Sequence, residues 1–167
     1  MKRALLIGRY QPFHKGHLKA IQEISDEEYR LVIAVGSAQI SHTIDNPFTA
    51  GERYLMIADA LEAEGIPNFE IIPIMDINRY AIWVSHVESL VPPIDIVFSN
   101  NLLTKRLFSE KGYEVKAQKL YDREKYSGTE VRRRILAGEN WQELVPESVV
   151  KIIEKVNGIE RITELDE

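Results

Sequence analysis

The chain contains no cysteine. Disulfide frameworks, thiolate zinc sites and a cysteine nucleophile are thereby excluded, and the composition fits a cytoplasmic protein. No stretch approaches the roughly 18 apolar residues of a membrane span, so the chain is not expected to cross a bilayer. The opening MKRALLIGRYQPF holds a brief apolar run that breaks at Gly8-Arg9 without a small-residue cleavage site, and no signal peptide is expected. Positive charge is in deficit: 21 Lys and Arg against 26 Asp and Glu give a net −5. That balance disfavours a broad nucleic-acid surface. The basic residues gather instead in KLYDREKYSGTEVRRR at 119–134, and a local cluster in an acidic chain suits a small anion.

The length of 167 residues is read as one domain. Apolar, β-branched runs alternate with helical patterns: strands are expected at Arg3–Gly8, Leu31–Gly36, Phe69–Met75, Ile94–Ser99 and Tyr113–Ala117. Each is apolar on consecutive positions, the pattern of strands buried on both faces. Between them, helices are expected over roughly Gly16–Ser25, Thr49–Glu64, Tyr80–Val91 and Leu102–Lys111. Such alternation implies βαβ crossovers and a parallel sheet covered on both faces. Thr49-Ala50-Gly51-Glu52 and Ser127-Gly128-Thr129-Glu130 both fit a capping box. After Ala117 a charged loop precedes a helix at about Thr129–Ala137 and another after Pro146, carrying Val149, Ile152, Ile153 and Val156. The expected architecture is thus an α/β core over about 1–117, then a motif loop and C-terminal helices over about 118–167.

Two familiar nucleotide loops are missing after the first strand. GxGxxG needs glycines where Tyr10 and Phe13 stand, and the P-loop pattern has Phe13 in place of its second glycine. What stands there is His14-Lys15-Gly16-His17, at a strand-to-helix junction. Gly16 lets the backbone approach a ligand. The helix N-terminus offers free N–H groups and positive dipole to a phosphate, and two imidazoles on that turn can each donate to a phosphoryl oxygen. The alternative is that the histidines simply cap or hydrate the helix start.

H-x-G-H after a first strand resembles the nucleotidyltransferase superfamily, in which a second element, S-S/T-T-x-x-R, opens a late helix. Here Ser127-Gly128-Thr129-Glu130-Val131-Arg132 follows about 110 residues later, with glycine in the middle position and one hydroxyl contact therefore missing. The strings GRYQPFHKGH, GSAQISHT, NPFTAGER, IWVSHVESLVPP and YSGTEVRRR, which fall between residues 8 and 134, resemble the archaeal-type nicotinamide mononucleotide (NMN) adenylyltransferases, and the resemblance runs from about residue 3 to 162. That resemblance implies a Rossmann-like five-stranded parallel sheet, transfer of the adenylyl group of Mg²⁺-ATP to NMN giving NAD⁺ and pyrophosphate, and a homo-oligomer, commonly a hexamer. Mg²⁺ would ride on the triphosphate; no protein metal cage is visible in the sequence.

The resemblance places His14, His17 and Arg132 at the reacting phosphates, with Arg132 on the β,γ-phosphates. Gly8, Arg9, Gly16, Ser127 and Thr129 join them around ATP. Capping alone would also explain Ser127 and Thr129. Arg133 and Arg134 lie about 100° and 200° round the helix from Arg132 and read as oligomer or surface salt-bridge residues. For NMN, the resemblance points to Asp76, Ile77, Tyr80 and Trp83, with Trp83 stacking on nicotinamide; packing in the core is the other reading of that tryptophan. Two positions depart from the pattern: Tyr80 where Asn is expected, and Asp45 where some relatives carry a phosphate-contacting Arg. Arg53 reads as a helix-stabilising residue ahead of a phosphate ligand, His42 as near the site and His86 as structural. The rival readings are an adenylyltransferase acting on phosphopantetheine, FMN or nicotinate mononucleotide, and a non-catalytic nucleotide sensor of the same fold.

Overall fold

The computed structural model describes every residue from Met1 to Glu167. Five parallel strands form one sheet: β1 (Arg3–Gly8), β2 (Arg30–Val35), β3 (Phe69–Pro73), β4 (Ile96–Phe98) and β5 (Glu114–Lys116). Their order is β3-β2-β1-β4-β5. The chain therefore builds outward from β1 on one side, then returns to lay β4 against its other side. The strand order reverses between β1 and β4, and in open parallel sheets the crevice at that reversal, beyond the carboxyl ends, takes the ligand.

Alternation along the central strands divides the core in two. Ala4, Leu6, Leu31, Ile33 and Val35 face the larger cluster, while Leu5, Val32 and Ala34 face the smaller. The larger is closed by α1 (Lys15–Asp26), α2 (Ala50–Ala63), α5 (Gly128–Ala137), α6 (Glu147–Lys155) and α7 (Gly158–Leu165). The smaller is closed by α3 (Trp83–Glu88) and α4 (Leu102–Glu110), through Val84, Val87 and Phe108. Phe13, Phe48 and Phe108 have no exposed surface; each such side chain stabilises the fold by about 1.5–3 kcal/mol through area removed from water.

Helix starts follow side-chain chemistry. Thr49 and Glu52 form the complete reciprocal box on α2. At α5 the Ser127 hydroxyl accepts from Glu130 N–H at 3.1 Å, but the Glu130 carboxylate turns to Arg133 and Arg134 instead, so that box is half made. Gly138, left-handed at φ 69°, stops α5.

Two expectations are corrected. The helix expected over Tyr80–Val91 is a 3₁₀ turn, Tyr80–Ile82, followed by the short α3, because no side chain at Arg79 or Ile82 caps a longer one. The helix expected after Pro146 forms as α6, and Asn157, with a left-handed φ of 54°, separates it from the further helix α7. The outer strands are not buried on both faces: β5 alternates exposed and half-buried, as an edge strand does.

Candidate active site

Beyond the carboxyl ends of β1 and β4 lie two clefts. The first, about 390 Å³, is lined by His14, Gly16 and His17 of the first loop and helix, Ser127, Gly128, Thr129 and Arg132 of α5, and Arg9. The second, about 480 Å³, is lined by Gly8, Asp76, Ile77, Tyr80 and Trp83, again with Arg9. Arg9 and Asn101 belong to both. Every residue the sequence assigned to ATP or NMN thus falls in one of the two clefts. Gly8 is the exception in assignment: expected with ATP, it lines the second cleft, because the chain turns away from β1 immediately after it.

His14 is the N-cap of α1, with Nδ1 accepting from the N–H of Gly16 at 3.1 Å and of His17 at 3.3 Å. His17, three residues on, returns the contact: its Nδ1 accepts from His14 N–H at 3.2 Å. Two imidazoles thus form a reciprocal capping box, and the spacing of three is that of N-cap and N3. With each Nδ1 committed as an acceptor, each neutral ring carries its proton on Nε2. The rings stack at 3.6 Å between centroids, with Phe13 stacked beyond His17 at 5.5 Å. Burial pushes the His14 imidazole down to about 4. His17 falls well below its ordinary value, through burial and then the neighbouring His14. Both rings are neutral Nε2–H donors at physiological pH. A Cβ on Gly16 would stand 3.0 Å from both the His14 ring and Tyr126, so glycine is what allows the ring to fold over the helix end.

Arg132 is 8% exposed, and one of its nitrogens donates to the Gln11 carbonyl at 2.7 Å. Its other terminal nitrogen is 3.7 Å from Asp45. Burial lowers its basicity and Asp45 partly restores it. Gly128 explains the departure from the S/T pattern: a Cβ there would come within 3.0 Å of both the Gln11 carbonyl and the Arg132 guanidinium. Arg133 and Arg134 point away, pairing with Glu130, Glu139 and Glu143.

Arg53 has no exposed surface and lines neither cleft. Its guanidinium donates to the carbonyls of Arg9, Gly36, Ser37, Ile40 and Thr49, holding the loops after β1 and β2 together. Trp83 is half-buried, edge-on to Phe108 at 5.7 Å and also open to the second cleft, so packing and lining coexist. Tyr80 is 64% exposed at that cleft's mouth. His86 bonds the Met75 carbonyl at 2.9 Å, a structural role. His42 bonds Ser41 and lines neither cleft.

Sequence reasoning missed Gln11. Its side chain pairs with both backbone groups of Phe48, each at 2.9 Å, while its carbonyl holds Arg132. It also missed Asn100, Asn101 and Gln118, which line the first cleft. The run Ser99-Asn100-Asn101 directly after β4 was the available signal, since the switch-point rule directs attention to that end.

The sequence pattern of the cytidylyltransferase-like family matches residues 5–134, and the chain belongs to that family. Within it, the chain is 54% identical over 164 residues to the nicotinamide-nucleotide adenylyltransferase of Methanococcus aeolicus, covering 98% of this chain and 95% of the relative. It is 51% identical to the enzyme of that name from Thermoplasma acidophilum, over 98% and 92% of the two chains. These relatives place it among the nicotinamide-nucleotide adenylyltransferases. Among solved structures, the fold is like that of a bifunctional NMN adenylyltransferase/ADP ribose pyrophosphatase from Francisella tularensis, complexed with AMP and a manganese ion. The TM-score is 0.77 at 22% identity, over 98% of this chain and 51% of that one. It is also like a nicotinate-nucleotide adenylyltransferase fold from Vibrio parahaemolyticus, with TM-score 0.68 at 14% identity over 96% of each chain.

Proposed function

We propose that this protein transfers the adenylyl group of ATP to the 5′-phosphate of NMN, giving NAD⁺ and pyrophosphate. One observation carries the reading: two clefts meet at Arg9 and Asn101, one holding the paired imidazoles and Arg132, the other holding Trp83. A phosphate oxygen of NMN attacks the α-phosphorus of ATP in line. That P–O bond forms as the bond from the α-phosphorus to the β-bridging oxygen breaks, and the electron pair leaves on pyrophosphate. The attacking phosphate is already an anion, so no general base is required; catalysis is positioning and charge stabilisation.

His17 donates from Nε2 to the α-phosphate, and His14 to its transition-state oxygens and the neighbouring phosphate. Arg132 holds the β,γ-phosphates, and Arg9, at the join of the clefts, reaches the triphosphate. Ser127 and Thr129 add contacts at the start of α5, and Gly16 gives backbone access. In the second cleft Trp83 stacks on nicotinamide, while Asp76, Ile77 and Tyr80 border the acceptor and Gly8 its phosphate. Mg²⁺ would arrive on the oxygens of ATP. No helix is long and apolar enough to cross a membrane. The same reading includes one nucleotidyltransferase domain in a cytoplasmic homo-oligomer, hexameric by resemblance.

The test is an acceptor panel (NMN, nicotinate mononucleotide, FMN and phosphopantetheine) with Mg²⁺ and ATP, assayed for pyrophosphate and for dinucleotide. NMN is expected to give NAD⁺ and pyrophosphate in equal amounts. Turnover with another acceptor and none with NMN would overturn the assignment. His17→Ala should keep the fold and lose about 10²–10³ in kcat, the scale of removing one preorganised donor.

A further inference from the structure

Two cations of the first cleft are engaged by adjacent residues of a single turn. Arg132 faces the Asp45 carboxylate at 3.7 Å, and Arg9 donates to the Asn46 side-chain oxygen at 3.3 Å. The turn is self-contained: Thr43 N–H donates to the Asn46 carbonyl and Asn46 N–H returns the bond to Thr43. Its far end is fixed by Arg161 on the Pro47 carbonyl and by the paired bonds between Gln11 and Phe48. Gln11 also holds Arg132, so the carboxylate and the guanidinium are positioned from the same residue and their separation is set by the frame.

The Asp45 side chain is 75% exposed, accepts no hydrogen bond and lies outside the lining of the cleft. Arg132, by contrast, is nearly buried and feels both Asp45 and the like charge of Arg9. A contact of 3.7 Å is Coulombic rather than a hydrogen bond. A phosphate oxygen that approaches to the shorter charge-assisted distance replaces it with a stronger partner.

We infer that Asp45 is the resident counter-ion of Arg132 and that an incoming triphosphate displaces it, so that this carboxylate sets how tightly the first cleft holds ATP. The inference rests on the reading above that this cleft takes ATP. Asp45 weakens ATP binding in two ways: it competes for the guanidinium, and it stands as a like charge beside the bound phosphates. Exposed ion pairs are small effects, so the expected change is about two- to fivefold in affinity. Asn46 does the same for Arg9 without charge, which leaves Asp45 as the salt-sensitive half of the pair.

The experiment is calorimetric titration of full-length protein with Mg²⁺-ATP, without acceptor, for wild type, Asp45→Asn and Asp59→Asn. Asp59 is an exposed carboxylate of α2 and controls for net charge. Asp45→Asn is expected to bind ATP about two- to fivefold more tightly, with the gain shrinking as salt is raised, while Asp59→Asn matches wild type. Equal or weaker ATP binding by Asp45→Asn would overturn the inference; weaker binding restored by excess Mg²⁺ would make Asp45 a metal-side residue instead. A wild type that binds no ATP would remove the underlying reading of the cleft, and the inference with it.

Discussion

In His14 and His17 the two ring nitrogens are divided between tasks. Nδ1 accepts from the backbone of α1, and Nε2 is left to donate into the first cleft. Capping and phosphate binding, set out from sequence as alternatives, are therefore compatible uses of one side chain. The division also fixes a pH response. His14 titrates near 4 in the folded chain against about 6.5 when unfolded. Between those values the unfolded chain binds more protons, so stability falls as pH drops from 6.5 toward 4 and levels off below. The loss from His14 alone is about 3 kcal/mol, and His17 adds to it in the same direction. In His14→Asn an amide oxygen keeps the cap but carries no ionisable ring. Urea unfolding at several pH values should show its slope over this window reduced, with kcat lowered at neutral pH.

At the scale of elements, the loops after β1 and β2 are joined by Arg53, a buried cation bonded to five backbone carbonyls and paired with no carboxylate. Arg53→Met would leave those carbonyls without their donors and should cost about 3 kcal/mol or more in urea unfolding. Arg53→Lys, retaining charge but not the planar fork, should lie between. Sequence favoured a helix-stabilising role for this residue, and its actual reach across two loops was beyond local patterns. The same boundary runs through the whole reading. The central strands were legible because runs such as ALLI and LVIAV are apolar on consecutive positions. The exposure of β5 was not, because edge position is decided by the return of the chain across β1. His14, His17 and Arg132 were legible from motifs at two helix starts. Gln11 was not, since its partners Phe48 and Arg132 lie 37 and 121 residues away. Gly128 looked like a lost hydroxyl until its packing against the Gln11 carbonyl gave the reason.

For the molecule as a whole, the C-terminal helices are part of the main core. Trp141, Leu144, Val145, Val149, Ile152, Ile153 and Ile162 share a cluster with residues of β1 and β2. Arg161 of α7 also pairs with Glu52 through both carboxylate oxygens, at 2.7 and 2.9 Å. Ending the chain after Gly138 should therefore give a protein without fixed tertiary packing, seen as a lost near-ultraviolet dichroism signal and exposed apolar surface.

The two clefts sharing Arg9 and Asn101 have a further consequence. If the first cleft takes ATP and the second NMN, as proposed, each substrate enters as a separate molecule with its own mouth and its own dissociation. Once the new phosphate bridge forms, the two halves become one chelating ligand gripped at both ends. A half that lets go is kept close by its tether and is promptly rebound. On that reading, the geometry that brings two reactants together would also slow the departure of their dinucleotide from the protein.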